Sequence, residues 1–374
     1  MAERLKILMV SNGFFPEISP RSYRATDLAK EFCRQGHIVR VITKHRDFDY
    51  SEFLSECSLD LTMWGKSRLK SIPELKNKSM RFLVGIVKRI LQVFFEYPGI
   101  EDMFKVKKVL EGEKNYDCLI SFAVPYPVHW GVAWSRTSNH RIAKTWIADC
   151  GDPYMGDVID TFRKPFYFKY LEKSFCRKAE YLTVPIKEAI NGYYPEFQDK
   201  IHVIPQGLYF DLRHIFREPK NNTCPTFAYA GGFISGIRDP GQLLRFLSGL
   251  ALPFKFFVFT NQPEFLNDFR KALGEKLIIS SYIPRNDLIN VLSNVDFLIN
   301  FDNNTNLNSP SKLIDYAIAD RPVLNITKDF NGESLLEFLG RDYRKKMVMP
   351  DPWQFHIKNV AEQFLELVKN RKSE

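Results

Sequence analysis

Several patterns that would assign a function directly are missing from this sequence. No apolar run reaches the roughly 18 uninterrupted residues that a membrane-spanning helix requires. The six cysteines include no CxxC pair and the seven histidines show no HxxxH or HExxH spacing, which argues against a disulfide framework or a metal centre. No G-x-G-x-x-G follows the first strand-like run, so a dinucleotide-dependent oxidoreductase is disfavoured.

Acidic residues are scarce in one stretch of a chain whose net charge is +9. Between Lys66 and Arg89 there are eight lysines and arginines and a single acid, Glu74. Such a block suggests an anionic partner, either lipid headgroups or phosphate groups, and the alternative is a solvated basic face. No nucleic-acid-binding module accompanies the charge, so nucleic acid is not expected as a partner.

The same region contains a strongly amphipathic segment. Residues 79–95 predict a helix whose polar residues form a narrow stripe on an otherwise apolar surface. Two interpretations remain open, a helix lying in a membrane interface and a helix packed on a sheet. Residues 46–78, which are polar and irregular, predict a long loop.

A length of 374 residues predicts two domains, and the order of strands and helices predicts their class. Leu5–Ser11 is a continuous apolar run, typical of a parallel strand buried on both faces. An amphipathic helix over 21–35 and a second strand over 38–43 complete a βαβ unit. The alternation restarts at Thr226, after a polar linker, so the sequence predicts an α/β protein with two Rossmann-like, doubly wound domains.

The stretch from Asn303 to Ile326 follows a strand-like run and contains a helix start. Ser309-Pro310 is typical of such a start, because serine caps first-turn amides and proline fits the first helical position. The amides of Ser311 and Lys312 would then form an anion site with the helix dipole. Asp315, one turn later, is placed to accept hydrogen bonds from sugar hydroxyls. Together these residues suggest a nucleotide site.

The run SPSKLIDYAIADRPVL within this stretch resembles the donor-site segment of family-4 glycosyltransferases. Five further segments resemble that family in the same order along the chain: the opening KILMVSNGFFPEISPRSYRATDLAKEFCRQGHIVRVIT, DCLISFAVPYPVH, WIADCGDP, KIHVIPQGLYF and YAGGFISGIRDPGQLL. Leu307 departs from the pattern, since many members have a glutamate there, and Asn306 or Asn308 is the alternative source of sugar contacts. Another departure is Ser19-Pro20-Arg21-Ser22, which replaces a glycine pair.

The resemblance implies the GT-B architecture, in which two Rossmann-like domains face a cleft. Residues 1–205 would form the acceptor-side domain and residues 206–350 the nucleotide-sugar-binding domain, with a hinge at 206–211. Residues 351–374 would form a final helix that crosses back to the first domain.

The resemblance also implies site residues. Those expected to bind the donor are Gly231, Gly232, Arg238, Asn308, Ser309, Ser311, Lys312 and Asp315. The residues expected to take part in catalysis are Arg238, Lys312, Asp149 and His129. Ser19, Arg21, Arg24 and Asp152 are expected to line the acceptor side of the cleft.

The implied activity is transfer of a hexose-type sugar from a nucleoside diphosphate donor, UDP or GDP, to a saccharide or lipid-linked saccharide in cell-surface polysaccharide or glycan synthesis. The resemblance further implies retention of anomeric configuration, no metal and no cofactor. The expected location is cytoplasmic, with peripheral contact to the inner face of the cell membrane through 66–95. Two alternatives remain, a GT-B protein that binds nucleotide sugar without transferring it and a basic membrane-surface module.

Overall fold

The structure is a computed structural model that describes residues 3–69, 72, 78–157, 162–210, 222–302 and 312–372. The chain divides into two compact units. The first contains Met1–Tyr209 together with Phe355–Glu374, and the second contains Phe210–Gln354. The divisions therefore fall near Phe210 and Phe355, compared with the predicted boundaries at 206 and 351. The predicted hinge at 206–211 stays a prediction, and residue 211 lies outside the described residues.

The first unit is built on a parallel sheet. Its strands in chain order are β1 (Lys6–Ser11), β2 (Ile38–Lys44), β3 (Asp60–Trp64), β4 (Tyr116–Phe122), β5 (Ala143–Asp149), β6 (Tyr181–Val184) and β7 (Ile201–Val203). Within the described residues these strands lie in the order β3-β2-β1-β4-β5-β6-β7. The order reverses between β1 and β4, which is where open α/β sheets place ligands, beyond the carboxyl ends of the strands.

Helices cover both faces of this sheet. They are α1 (Pro20–Arg34), α2 (Ser51–Glu56), α3 (Lys78–Phe95), α4 (Ile100–Leu110), α5 (Pro127–Ser135), α6 (Phe168–Lys178) and α12 (Ile357–Lys372). Alternate residues of β1 belong to separate cores: Ile7 and Met9 pack with α1 and α12, whereas Leu8 and Val10 pack on the opposite face. This two-sided burial explains why the strand reads as an unbroken apolar run.

The segment 46–78, predicted as a long loop, contains two regular elements. Helix α2 and strand β3 lie within it, and β3 pairs in parallel with β2 at the edge of the sheet. The prediction was wrong because both elements are short and β3 is only partly buried, so its residues carry no clear apolar pattern.

Residues 79–95 form helix α3 as predicted, but the interpretation as a buried helix is wrong. Among the side chains of α3 that the structure describes, Val93 is the one that is buried. Phe82 and Leu83 are 70% and 60% exposed. In the described part of the chain, no helix is both long and apolar enough to cross a bilayer.

The final helix, α12, belongs to the first unit. Phe364 and Val360 of α12 lie in the same core as Ala25 and Leu28 of α1. The two chain segments that connect the units are hydrogen-bonded side by side: Leu208 N–H donates to the Phe355 carbonyl, and Ile357 N–H donates to the Leu208 carbonyl, both at 2.9 Å.

The second unit repeats the plan on a smaller scale. Its parallel strands are β8 (Thr226–Ala230), β9 (Lys255–Phe259), β10 (Leu277–Ser280), β11 (Phe297–Phe301) and β12 (Val323–Ile326), and over the described residues their order is β10-β9-β8-β11-β12. Its helices are α7 (Gly241–Ser248), α8 (Arg270–Leu273), α9 (Arg285–Leu292), α10 (Lys312–Ala319) and α11 (Glu333–Leu339). Phe227 and Tyr229 pack on one face of the sheet, and Ala228 and Ala230 pack on the other. The predicted α/β class, with two Rossmann-like units, is confirmed.

Candidate functional site

A glycine turn follows β8 at the carboxyl end of the second sheet. Gly231 has a φ of 150°, which disfavours any residue with a side chain, and a Cβ there would lie 3.1 Å from the Tyr229 hydroxyl oxygen. The Tyr229 hydroxyl donates to the Gly232 carbonyl at 2.8 Å, while Gln262 Oε1 accepts from the Phe233 N–H at 2.6 Å. These contacts hold the turn in one conformation.

Two cationic side chains lie beside this turn. Lys312, the first residue of α10, is 9% exposed, and its Nζ lies 4.8 Å from the centre of the Tyr229 ring. Lys312 Nζ and Arg238 Nε are buried atoms that donate no hydrogen bond within the described part of the chain. Burial and the charge of Arg238 lower the pKa of Lys312 to about 7. Two cationic side chains, each with a buried nitrogen that has no acceptor, form an arrangement that an anion would stabilise.

Helix α10 is fixed against the sheet by a tyrosine. The Tyr316 hydroxyl accepts from the Ala230 N–H and donates to the Ile299 carbonyl, both at 3.0 Å. One buried side chain thus joins the end of β8 and the middle of β11 to α10, which places Lys312 beside Gly231. A Cβ on Gly231 would lie 3.6 Å from Lys312 Cδ.

Asp315 lies one turn after Lys312 and is held by an arginine. Arg285 Nε donates to Asp315 Oδ1 at 2.6 Å, and a second nitrogen of Arg285 contacts the same oxygen. Burial raises the pKa of Asp315, and Arg285 opposes that rise. The predicted contact with sugar hydroxyls stays a prediction. Asn308, Ser309 and Ser311, together with Leu307, lie outside the described residues.

In the first unit, the predicted acceptor-side residues converge on Asp149, the last residue of β5. Arg24 donates two hydrogen bonds to the Asp149 carboxylate, from Nε to Oδ2 and from Nη2 to Oδ1, both at 2.8 Å. Thr183 donates to Oδ1 at 2.7 Å, and Arg24 also donates to the carbonyls of Ile204 and Pro205. Burial alone would raise the pKa of Asp149, but the arginines and these hydrogen bonds outweigh it and hold the pKa below its usual range.

This network assigns Asp149 and Arg24 a structural position. Both side chains are fully buried, and both oxygens of the carboxylate are bound within the protein. The two residues tie α1 to β5 and to the end of β7. The expectations that Asp149 takes part in catalysis and that Arg24 lines a cleft therefore need correction, because neither side chain is exposed.

Arg21 remains accessible beside this network. Its Nη1 donates to Asp149 Oδ2 at 3.2 Å, whereas its buried Nη2 has no hydrogen-bond partner among the described residues. A Cβ on Gly151 would lie 2.7 Å from Nη2, so the arginine packs directly on that glycine. Asp152 is exposed in the same loop. Ser19 caps α1 by accepting from the Ser22 N–H at 3.2 Å.

His129 is buried beneath the loop that follows β5. Its Nδ1 lies 2.8 Å from Ser121 Oγ, and its Nε2 lies 3.6 Å from Cys150 Sγ. Burial lowers the pKa of His129 to about 3, so the imidazole is neutral at physiological pH and is a weak base. This burial argues against the predicted part of His129 in catalysis, because a general base must reach the substrate.

The sequence did not reveal the residues that hold the predicted site residues in place. Tyr229 precedes the glycine turn and Tyr316 follows Asp315, so both lie inside segments that were singled out, but an aromatic residue at such positions usually indicates core. Arg285 and Thr183 lie far from the motifs in sequence. Among the described residues, the structure contains no cluster of three or more His, Cys, Asp or Glu side chains that could hold a metal ion.

Comparison with known proteins gives a fold. No protein-family model and no curated protein sequence matches the chain. The apo lipopolysaccharide outer core galactosyltransferase WaaB is similar in structure with a TM-score of 0.57 at 11% identity, over 98% of this chain and 100% of the other. UDP-GlcNAc 2-epimerase from Neisseria meningitidis, bound to UDP-GlcNAc, gives the same values. Arabidopsis thaliana starch synthase IV, bound to ADP and acarbose, has a TM-score of 0.53 at 11% identity and covers 100% of both chains. The chain thus has the GT-B fold, and its membership of family 4 stays a prediction.

Proposed function

We propose that this GT-B protein transfers a hexose-type sugar from a nucleoside diphosphate donor to a saccharide or lipid-linked saccharide acceptor. The observation that carries the proposal is a pair of cationic side chains beside the glycine turn after β8, Arg238 and Lys312, whose Nε and Nζ atoms are buried and have no hydrogen-bond partner among the described residues. A diphosphate placed there would accept hydrogen bonds from both groups and from the backbone of the turn. Similar folds support this ligand class, since the epimerase structure contains UDP-GlcNAc and the starch synthase structure contains ADP.

In the proposed reaction, the bond between the sugar C1 and the phosphate oxygen breaks and its electron pair leaves with the diphosphate. Arg238 and Lys312 stabilise the charge that develops on the leaving group, which lowers the barrier. The acceptor oxygen forms the new bond to C1 on the same face, with retention and without a metal ion. Its proton passes to the departing phosphate, a route that the burial of Asp149 and His129 favours over a protein base.

Donor binding is tested by thermal shift against UDP, GDP and ADP sugars, followed by calorimetry with the one that stabilises most. Arg238→Met is expected to reduce donor affinity at least about tenfold, because a charge-assisted hydrogen bond contributes about 1.5–3 kcal/mol. Arg270→Met, at an exposed arginine that begins α8, is the matched control and is expected to leave affinity unchanged. If no nucleotide sugar stabilises the protein, the proposal fails.

Turnover distinguishes transfer from its alternatives. Release of nucleoside diphosphate only when an acceptor is present, with an α-linked product from an α-linked donor and no loss of rate in EDTA, supports a retaining, metal-independent transferase. Stable binding without release supports a protein that binds nucleotide sugar and transfers nothing. Conversion of the donor to an epimer would assign the reaction of the epimerase that shares this fold. A cytoplasmic location, with peripheral contact of residues 66–95 to the inner face of the cell membrane, belongs to the same proposal.

A further inference from the structure

The first unit exposes large apolar side chains on two segments that are separate in sequence. On α3, Phe82, Leu83 and Ile90 are 70%, 60% and 48% exposed. On residues 162–170, which lead into and open α6, Phe166 and Tyr170 are 71% and 62% exposed. A water-soluble surface seldom carries so many exposed aromatic and branched side chains together, and such patches commonly mark binding sites.

The two segments form one surface, which we call the apolar surface: helix α3 together with residues 162–170. The Tyr167 hydroxyl donates to the Phe94 carbonyl, and Lys164 Nζ donates to Glu96 Oε1 at 2.5 Å. The guanidinium of Arg89 lies 5.3 Å from the centre of the Phe162 ring. A groove of about 700 Å³ lies between the segments. These contacts hold the two segments against each other in the first unit.

The charges around the apolar surface indicate what covers it. Lys88, Arg89, Arg163 and Lys169 lie on the two segments, and neither Lys78–Phe95 nor residues 162–170 contain an acid. A second protein surface would have to bury these cations or supply matching carboxylates, which a second copy of this surface cannot do. At a membrane interface the rings enter the acyl boundary while the cations stay among anionic headgroups.

We propose that the apolar surface binds peripherally to an anionic lipid bilayer and that the acceptor is accordingly lipid-linked; the second part rests on the proposed function.

One carboxylate joins the apolar surface to the acceptor-side loop of the same unit. Glu96 Oε1 accepts from Tyr154 at 2.6 Å as well as from Lys164, and Tyr154 lies in the loop that carries Gly151. Arg21 packs on Gly151, so membrane contact and the accessible arginine are linked through a few contacts.

Flotation with vesicles of phosphatidylcholine, with and without phosphatidylglycerol, tests the first part in the absence of any nucleotide sugar. The protein is expected to bind the vesicles that contain phosphatidylglycerol and to dissociate as salt is raised, because salt screens the headgroup attraction. Phe82→Ser combined with Leu83→Ser, and separately Phe166→Ser, are each expected to weaken binding at least about tenfold, since each removes apolar area that enters the membrane. Val348→Ser, at a residue of the second unit that is 91% exposed, is the matched control and is expected to bind as the wild type does.

Three results would overturn the membrane assignment: no vesicle binding, binding that is equal with and without phosphatidylglycerol, or binding that survives both sets of substitutions. A dimer in solution that Phe82→Ser and Leu83→Ser dissociate would assign the apolar surface to a second copy instead. Turnover tests the assignment of the acceptor. The variant with Phe82→Ser and Leu83→Ser is expected to lose turnover on a lipid-linked acceptor in vesicles and to retain turnover on the detached glycan. Equal losses on both would overturn the acceptor assignment, while unchanged donor binding by thermal shift keeps that outcome separate from a failure of the donor site.

Discussion

The protonation of Lys312 offers the sharpest test of the anion site in the second unit. Burial and Arg238 lower its pKa to about 7, so about half of the free protein carries a neutral amine at pH 7. A diphosphate beside the nitrogen stabilises the ammonium form and returns the pKa towards its ordinary value of about 10.4. Nucleotide binding is therefore expected to take up a proton.

The pH dependence follows from these two pKa values. Below pH 7, Lys312 is charged in both the free and the bound protein, so its titration leaves the affinity unchanged. Above pH 7, the free protein has lost a proton that the complex keeps, and affinity falls by up to about tenfold per pH unit, or about 1.4 kcal/mol. Between pH 7.5 and pH 9, the affinity for UDP or GDP is expected to fall about 20-fold.

The assay is isothermal titration calorimetry at pH 8 in two buffers that differ in ionisation enthalpy. The difference in observed heat gives the protons taken up, and nearly one proton per nucleotide is expected. Lys312→Met is expected to bind weakly, with no proton uptake and a flat pH dependence. Lys255→Met, at an exposed lysine that begins β9, is expected to behave as the wild type does. Wild-type binding without proton uptake, or the same pH dependence in Lys312→Met, would refute the reasoning.

Three further substitutions test the positioning of the two sites. Tyr316→Phe is expected to lower the free energy of unfolding by about 2–4 kcal/mol in urea titrations, because two buried backbone groups lose their partner. Gly231→Ala is expected to lower nucleotide affinity at least about tenfold in calorimetry, since alanine at a φ of 150° strains the turn by about 1–3 kcal/mol. Arg24→Ala is expected to lower the free energy of unfolding by about 3–5 kcal/mol at pH 7, because it leaves Asp149 charged and buried. That loss shrinks as the pH falls, because Asp149 takes up a proton at a higher pH in the variant than in the wild type, where the arginines hold its pKa below the usual range.

Each of these variants has a matched control. Tyr282→Phe removes the hydroxyl of a tyrosine that is 53% exposed, and it is expected to leave stability unchanged. Gly249→Ala places a methyl group where the nearest atom is 3.6 Å away, and it is expected to leave nucleotide affinity unchanged. Arg344→Ala breaks an ion pair with Asp342 in which the arginine and aspartate side chains are 87% and 33% exposed, and it is expected to leave the free energy of unfolding nearly unchanged. A variant that does not differ from its control contradicts the role assigned to that residue.

The sequence predicted elements well where local pattern determines structure. The apolar run of β1 and the amphipathic face of α1 reveal both burial and period, so the opening βαβ unit was predicted almost to its ends. The helical repeat of apolar residues in α3 was equally clear, but such a repeat shows only which residues share one face of the helix. What covers that face depends on distant segments, and the structure leaves it exposed.

The candidate sites were predictable as motifs and not as contacts. The glycine turn, Arg238 and Lys312 were singled out, and the structure brings Lys312 beside Gly231. The partners that fix them are remote: Tyr316 reaches a strand 86 positions away, and Arg24 reaches Asp149 over 125 positions. A single sequence does not show which residues far apart in the chain are in contact. Asp149 was therefore predicted as a carboxylate that lines a cleft, whereas it is buried and anchors α1 to β5.

The two units of this chain must also differ in when they can be completed during synthesis. The second unit is continuous from Phe210 to Gln354, so all of its strands are present once these residues have left the ribosome. The first unit is complete only after α12 has been synthesised. The Phe364 ring of α12 lies 5.4 Å from the Arg24 guanidinium and covers the core next to α1. The domain that is translated first is therefore finished last, and a nascent chain that stops before Ile357 leaves the buried anchor of α1 without its cover.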